Sequence, residues 1–155
     1  MNELIRAANL NDLETIMVIE RESFPVAWEY SVYLAICMQK GRVRSSDRRI
    51  LFMDVLEKDG EVIGYTVWEI DLLERIGHIL NLAISKIERR RGYGRMLLDH
   101  THERFRDEGM ASCYLEVRES NSMARSLYES SGYTVSDKLE GYYFDEDALV
   151  YTRNL

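Results

Sequence analysis

Cysteine, proline and basic charge are all scarce in this chain, and each scarcity removes a class of protein. Two cysteines, Cys37 and Cys113, are too few for a disulfide framework and stand at no metal-ligand spacing. Both are expected reduced and buried, a bridge between subunits being the other use open to them. One proline and no low-complexity tract leave no candidate linker, so residues 1–155 are expected to form one domain. Lysine and arginine (20) are outnumbered by aspartate and glutamate (27), for a net charge of −7. Nucleic-acid binding needs a basic face, so it is not expected. No run approaches the ~20 apolar residues of a membrane span, and MNELIRAANL lacks the order of a signal peptide. A cytoplasmic protein with no membrane attachment is the expectation. Neither common nucleotide fingerprint is present. There is no Gly-Lys-Ser/Thr triplet, and Leu97 stands where the dinucleotide motif wants its third glycine.

What is present centres on Ile79–Leu98, ILNLAISKIERRRGYGRMLL. Ile79, Leu80, Leu82, Ala83 and Ile84 form an apolar run without alternation, which reads as a strand buried on both faces. After a basic turn, helical periodicity runs through Tyr93, Met96, Leu97, Thr101 and Phe105 to a C-cap at Gly109. Gly92 and Gly94 allow a tight turn and close approach of a ligand to the unpaired amides of the first helical turn. Arg89, Arg90, Arg91 and Arg95 add charge at the same helix N-terminus, where a phosphate is favoured. The arrangement predicts a site for one small anion.

The remaining elements follow from caps and turns. Residues 3–8 read as an edge strand. Asn11-Asp12-Leu13-Glu14 has the form of a capping box opening a helix that ends near Phe24-Pro25. Phe24, Pro25, Val26 and Trp28 gather bulky groups at the break before a second helix, about Tyr30–Lys40; a packed helix corner and the lining of a substrate groove are both open to them. Residues 41–49 read as a polar, basic loop. Ile50–Leu56 and Val62–Ile70 flank Asp59-Gly60, a hairpin signal. Ala111–Val117 is the next strand, Asn121 begins a short helix, and Tyr133–Leu139 and Tyr142–Arg153 close the sheet. The order is β-α-α-β-β-β-α-β-α-β-β, an α/β chain (an α+β mixed sheet) with helices on both faces.

The run Arg89-Arg90-Arg91-Gly92-Tyr93-Gly94 after Asn81-Leu82-Ala83-Ile84 fits an Arg/Gln-x-x-Gly-x-Gly/Ala signature. At this point the chain resembles the GNAT acyl-CoA N-acyltransferases, and the element order is that of their fold. Leu115-Glu116-Val117-Arg118, Asn121, Ala124, Leu127-Tyr128-Glu129 and Gly132-Tyr133 resemble one branch, the RimI-type ribosomal-protein and protein N-terminal acetyltransferases. The Phe24-Pro25…Trp28 and Tyr142-Tyr143…Glu146-Asp147-Ala148 segments resemble the same branch.

The resemblance implies acetyl-CoA as cosubstrate, with no metal, and protein or peptide N-termini as acceptors. It assigns the backbone of Leu82, Ala83 and Ile84 to the acetyl carbonyl and pantetheine arm. The pyrophosphate falls to Arg89, Arg90, Arg91, Gly92, Tyr93 and Gly94, and the pantetheine also to Asn121. Glu116 matches the proton acceptor, acting through water, and Tyr128 the proton donor beside the departing sulfur. Substrate contacts are expected from Phe24, Pro25, Val26 and Trp28 and from Tyr142 and Tyr143, read as strand residues of which one faces the groove. His78 stands as a second base or substrate contact, or as a surface residue at a strand end. The chemistry needs little help: an α-amine has a reference pKa of ~7.7–8.0, against ~10.4 for lysine. A small amine or polyamine is the alternative acceptor, and a non-catalytic acyl-CoA-binding subunit the alternative class. A ribosome or auxiliary subunit is a possible partner, and both a monomer and a homo-oligomer fit.

Overall fold

Asp59 and Gly60 both take positive φ, +52° and +85°, the turn that matches the twist of two antiparallel strands. They join β3 (Arg49–Lys58) to β4 (Glu61–Asp71), the longest pair in the sheet. The structure, a computed structural model, describes residues 2–155. Before this hairpin come β1 (Glu3–Ala7), α1 (Leu13–Ser23), α2 (Tyr30–Met38) and β2 (Arg42–Arg44). After it come β5 (Ile76–Ile84), α3 (Tyr93–Asp107), β6 (Ser112–Arg118), α4 (Ser122–Ser130), β7 (Thr134–Leu139) and β8 (Ala148–Asn154). The eight strands form one sheet in the order β1-β3-β4-β5-β6-β8-β7, with β2 extending the β1 edge along β3. All pairs are antiparallel except β5 with β6.

Three expectations need correction. The capping box lies two residues earlier than predicted: Asn9 accepts from the Asn11 amide and Asp12 accepts from the Asn9 amide at 2.8 Å. Asp12 is drawn there because Arg6 grips both its oxygens, at 2.8 and 2.9 Å. Burial alone would raise the Asp12 carboxyl, but the Arg6 guanidinium and the Asn9 amide hold it below its usual range. The stretch 41–49 is only partly a loop. Arg42–Arg44 pairs with Ile50–Phe52, and this pairing runs through the backbone, which a basic tripeptide does not advertise. Its neighbours Arg48 and Arg49 are spent on Asp71 (3.1 Å) and Glu69 (3.2 Å). Finally, β8 starts at Ala148, so Tyr142 and Tyr143 sit in a turn and not on a strand.

The two faces of the sheet carry separate cores. Against α3 and α4 pack Phe52, Trp68, Ile79, Leu98, Phe105, Leu115 and Tyr151. Against α1 and α2 pack Met53, Val55, Tyr65, Val67, Ala83, Ile16 and Tyr33. Trp68 is fully buried, stacked on Phe52 at 4.1 Å and edge-on to Phe105 at 5.4 Å, and donates to Asp54 at 3.0 Å. Truncating it leaves a large cavity and an Asp54 short of a donor, so Trp68→Ala is expected to cost about 3–5 kcal/mol in urea denaturation. Cys37 and Cys113 are free and buried, 1% and 0% exposed, which rules against the intersubunit bridge. Burial pushes the Cys37 thiol up to about 11 and the Cys113 thiol upward. No helix among the described residues is long and apolar enough to cross a membrane.

Candidate active site

The site begins where a parallel pair stops. β5 and β6 are matched over only four residues, from Ile76 with Ser112 to Ile79 with Leu115. Beyond Ile79 the two strands have no pairing with each other, so one backbone edge of Leu80–Ile84 is left without a strand partner. Unpaired amides and carbonyls of this kind can accept an extended ligand as a strand would. The strand is therefore not buried on both faces throughout: Leu80, Asn81 and Leu82 are half-buried because the gap opens beside them.

A groove of about 470 Å³ fills this gap. Its lining includes Leu82 from β5, Glu116 and Arg118 from β6, and Asn121 and Tyr128 from α4 and its cap. Phe24, Pro25, Val26 and Trp28 wall it from the α1–α2 connection, and Tyr142 and Tyr143 from the β7–β8 turn. The sequence reading of the helix corner thus needs no choice. Phe24 and Trp28 pack against the α1–α2 core, with Trp28 stacked on Tyr33 at 5.5 Å, and the same residues face the groove. Tyr142 and Tyr143 stack on each other at 4.9 Å, and both line it. Being in a turn, they escape the alternation that would have sent one away. Arg118 holds this turn in place, bonding Asp145 at 2.8 Å and Glu146 at 3.2 Å with its guanidinium over the Tyr143 ring.

The acid–base candidates occupy opposite sides. Glu116 alternates out of the β6 core and meets His78 Nε2 at 2.7 Å. His78 does not line the groove. It stacks on Tyr114 at 4.1 Å and borders a second cavity of about 190 Å³ with Arg48, Arg49, Glu69 and Asp71. Neither a free surface residue nor a wall of the groove, it is placed behind the carboxylate. Tyr128, 8% exposed, is pushed up to about 12 by burial and then by Tyr143. Burial, followed by the charges of Tyr142 and Glu116, likewise lifts Tyr143 to about 12. Both phenols are donors at neutral pH.

The basic turn lies beyond the end of β5. Its arginines divide. Arg89 turns inward, to the Ile84 carbonyl and the Ser23 hydroxyl, both at 2.9 Å. Arg91 bonds Glu88 at 3.1 Å, and Arg95 reaches Ser130 and Ser131 at the end of α4. Arg90 is exposed, with φ +65°, and its side chain has no partner among the described residues. Gly92 caps α3 with φ +86°, and a Cβ there would meet nothing within 4 Å. A Cβ on Gly94 would meet only Leu127, at 3.6 Å. The backbone at Gly92 and Gly94 is therefore open to close approach, and the first helical turn there carries unpaired amides that suit an anion. Tyr93, Ala83 and Ile84 are buried, so their side chains serve the core and only their backbone is available to a ligand. The Asn121 side chain caps α4, its oxygen accepting from Ala124 at 3.2 Å, which leaves its amide nitrogen as the group it can offer.

The sequence reading missed four polar residues of the groove, Glu20, Ser23, Asn81 and Arg118. Two of them carried a signal: Glu20, fully buried, falls on the apolar stripe of Leu13, Ile16 and Met17, and Asn81 is the one polar residue in ILNLAI.

Known proteins resemble this chain over most of its length. The family model described as "Acetyltransferase (GNAT) family" matches residues 13–133. An N-alpha-acetyltransferase of Sulfolobus acidocaldarius is 31% identical, over 97% of this chain and 91% of that protein. A ribosomal protein bS18-alanine N-acetyltransferase of Salmonella typhimurium is 29% identical, over 89% of this chain and 95% of that protein. Among solved structures, Ard1 from Thermoplasma volcanium superimposes with a TM-score of 0.84 at 24% identity, covering 100% of this chain and 99% of the other.

Proposed function

The chain belongs to the GNAT acetyltransferase family and is an N-acetyltransferase, and from that premise we propose that it transfers the acetyl group of acetyl-CoA to the α-amine of protein N-termini. The observation that carries this reading is the splay of β5 from β6, which sets Glu116 and Tyr128 on one groove open to both a thioester and an amine. Acetyl-CoA fits the residues present. The free edge of Leu80–Ile84 suits the pantetheine arm and acetyl carbonyl, Asn121 lines the same groove, and the open turn at Gly92 and Gly94 suits the pyrophosphate. Arg90 is the side chain free to meet a phosphate; Arg89, Arg91 and Arg95 hold the turn to its neighbours. Bound there, the cosubstrate supplies an activated acyl carbon for direct attack by an amine.

The protein's own groups manage protons and charge. Glu116 accepts the proton of the incoming ammonium, through a water, and His78 fixes the orientation of its carboxylate. The unpaired amides of β5 face charge developing on the acyl oxygen. Tyr128 donates toward the sulfur. With its phenol near 12 and a thiol near ~8.5, complete proton transfer would run uphill, so its contribution is a hydrogen bond to the departing thiolate. Apolar and tyrosine walls from two separate loops suit the first residues of a peptide better than a polyamine, which would draw several exposed carboxylates into the groove.

Thiol release over a panel of peptides differing at their first two residues tests the proposal. Spermidine and a peptide with a blocked N-terminus and a free lysine serve as comparators. Turnover confined to free N-termini is expected. Turnover of spermidine alone would move the enzyme to small amines, and acetyl-CoA binding with no turnover on any acceptor would overturn the mechanism assigned to Glu116.

A further inference from the structure

A carboxylate with no cation beside it among the described residues lies under this groove. Glu20 is 0% exposed, and its oxygens receive the Trp28 amide at 2.7 Å, the Tyr33 hydroxyl at 3.0 Å, the Tyr65 hydroxyl, and the Asn81 side-chain amide at 3.3 Å. Burial and then the Glu20 charge hold the Tyr33 phenol far above its ordinary range, so it remains a donor to Glu20 and accepts from Asn81 at 2.8 Å. Both contacts of Asn81 use its nitrogen. A carboxylate can only accept, so the Asn81 amide has one permitted orientation, and its Oδ1 points away from Glu20 and Tyr33. That oxygen has no protein partner among the described residues, and Asn81 lines the groove.

Asn81 is on this side of the sheet because β5 carries a bulge. Strict alternation would put His78 and Leu80 on the α1–α2 face and Asn81 on the α3 face. The register with β4 passes from Trp68–Ile79 to Val67–Asn81, leaving Leu80 as the extra residue. Leu80 and Asn81 therefore share a face, and Leu82 and Ala83 resume the alternation against α3 and α1–α2 respectively. The bulge, the Glu20 clamp and the end of the β5–β6 pairing coincide within three residues. Asn81 also stands across the gap from Glu116, each just past the last matched pair, Ile79 with Leu115.

We infer that Asn81 Oδ1 is the acceptor that binds the substrate's α-ammonium, and that Glu20 is the positioning residue that aims it. The inference rests on the amine-acetylating function proposed above. A carboxylate one hydrogen bond behind an amide polarises it, making its oxygen a better acceptor for a cationic donor. One ammonium N–H bonds Asn81 and another faces the water of Glu116, which takes the proton; the lone pair released is then available to the acyl carbon.

The experiment compares wild type, Asn81→Leu and Glu20→Gln by steady-state kinetics on a free-N-terminus tetrapeptide, with competitive inhibition by the same peptide lacking its α-amino group. Loss of a hydrogen bond to a charged group is expected to raise the Asn81→Leu peptide KM by about tenfold or more, while acetyl-CoA affinity is unchanged. The inhibition constant of the des-amino peptide should match wild type, because that ligand has no ammonium to lose. Glu20→Gln keeps side-chain size but frees the Asn81 amide to rotate, and should raise the peptide KM in the same direction. Equal losses for the amino and des-amino peptides, or an unchanged KM in Asn81→Leu, would overturn the inference; an unchanged KM in Glu20→Gln would remove Glu20 from it. Wild-type turnover of the tetrapeptide tests the parent reading separately. If only a small amine is acetylated, its KM in the same variants decides the role of Asn81.

Discussion

Glu116→Gln is expected to lower kcat/KM for the acceptor by about 10²–10⁴-fold at pH 7, with the affinity for acetyl-CoA unaltered. Glutamine preserves the shape of the side chain and can still accept from His78 Nε2, the 2.7 Å contact seen in the structure. It cannot take a proton. The size of the defect should depend on pH in a direction set by the substrate. Below the amine's reference value of ~7.7–8.0 the acceptor arrives as an ammonium and needs the base; above it, the amine arrives already neutral. Raising the pH from 7 to 9 should therefore narrow the gap between wild type and variant. A full rate at pH 7 in Glu116→Gln would remove the carboxylate from the mechanism. A defect unchanged across this pH range would assign it a structural task instead. His78 does not itself line the groove and acts through Glu116, so His78→Ala should give a smaller loss, read in kcat and not in acetyl-CoA binding.

The parts of the site legible in the sequence were those encoded within a few neighbouring residues. A glycine turn after an apolar run is a local pattern, and so are the Asp59-Gly60 hairpin and the alternation that brings Glu116 out of the β6 core. What was not legible depends on pairings between distant segments. A bulge is a mismatch between two strands, and nothing within ILNLAI says that Val67 and Trp68 on β4 will straddle Leu80. Glu20 on an apolar stripe is a local oddity. Its meaning comes only from Tyr33, Tyr65 and Asn81, up to 61 residues away. The misplaced start of β8 has a similar origin. Tyr142 and Tyr143 have strand propensity, but Arg118 pulls the following Asp145 and Glu146 into a turn, and the two rings end on one side. The four arginines near residue 90 were indistinguishable as a run. Their neighbours in three dimensions separate them, because Ser23, Glu88, Ser130 and Ser131 engage three and leave Arg90.

Replacing Gly92 and Gly94 together by valine is expected to weaken acetyl-CoA binding by about 10–100-fold, the loss of one strong charge-assisted N–H bond to phosphate. Two physical effects contribute, and single variants separate them. At Gly92 the backbone has φ +86°, so any side chain is strained there although no atom stands in its way. Gly92→Ala therefore reports on the cap of α3 through conformational cost, roughly 1–2 kcal/mol, and should show in thermal stability as well as in affinity. At Gly94 φ is not positive, and a Cβ would meet only Leu127 at ordinary contact distance. Gly94→Ala should leave stability intact and weaken binding solely by filling the approach to the amides. Isothermal titration with acetyl-CoA, set beside thermal melts, distinguishes the two. A Gly94→Ala protein that binds normally would show that the phosphates do not come to this turn, whatever the double variant does. A weakened Gly94→Ala with an unchanged melt would place them there. Arg90→Ala should then weaken binding less and in a salt-dependent way, because an exposed arginine contributes a screened charge while the turn amides contribute short-range hydrogen bonds.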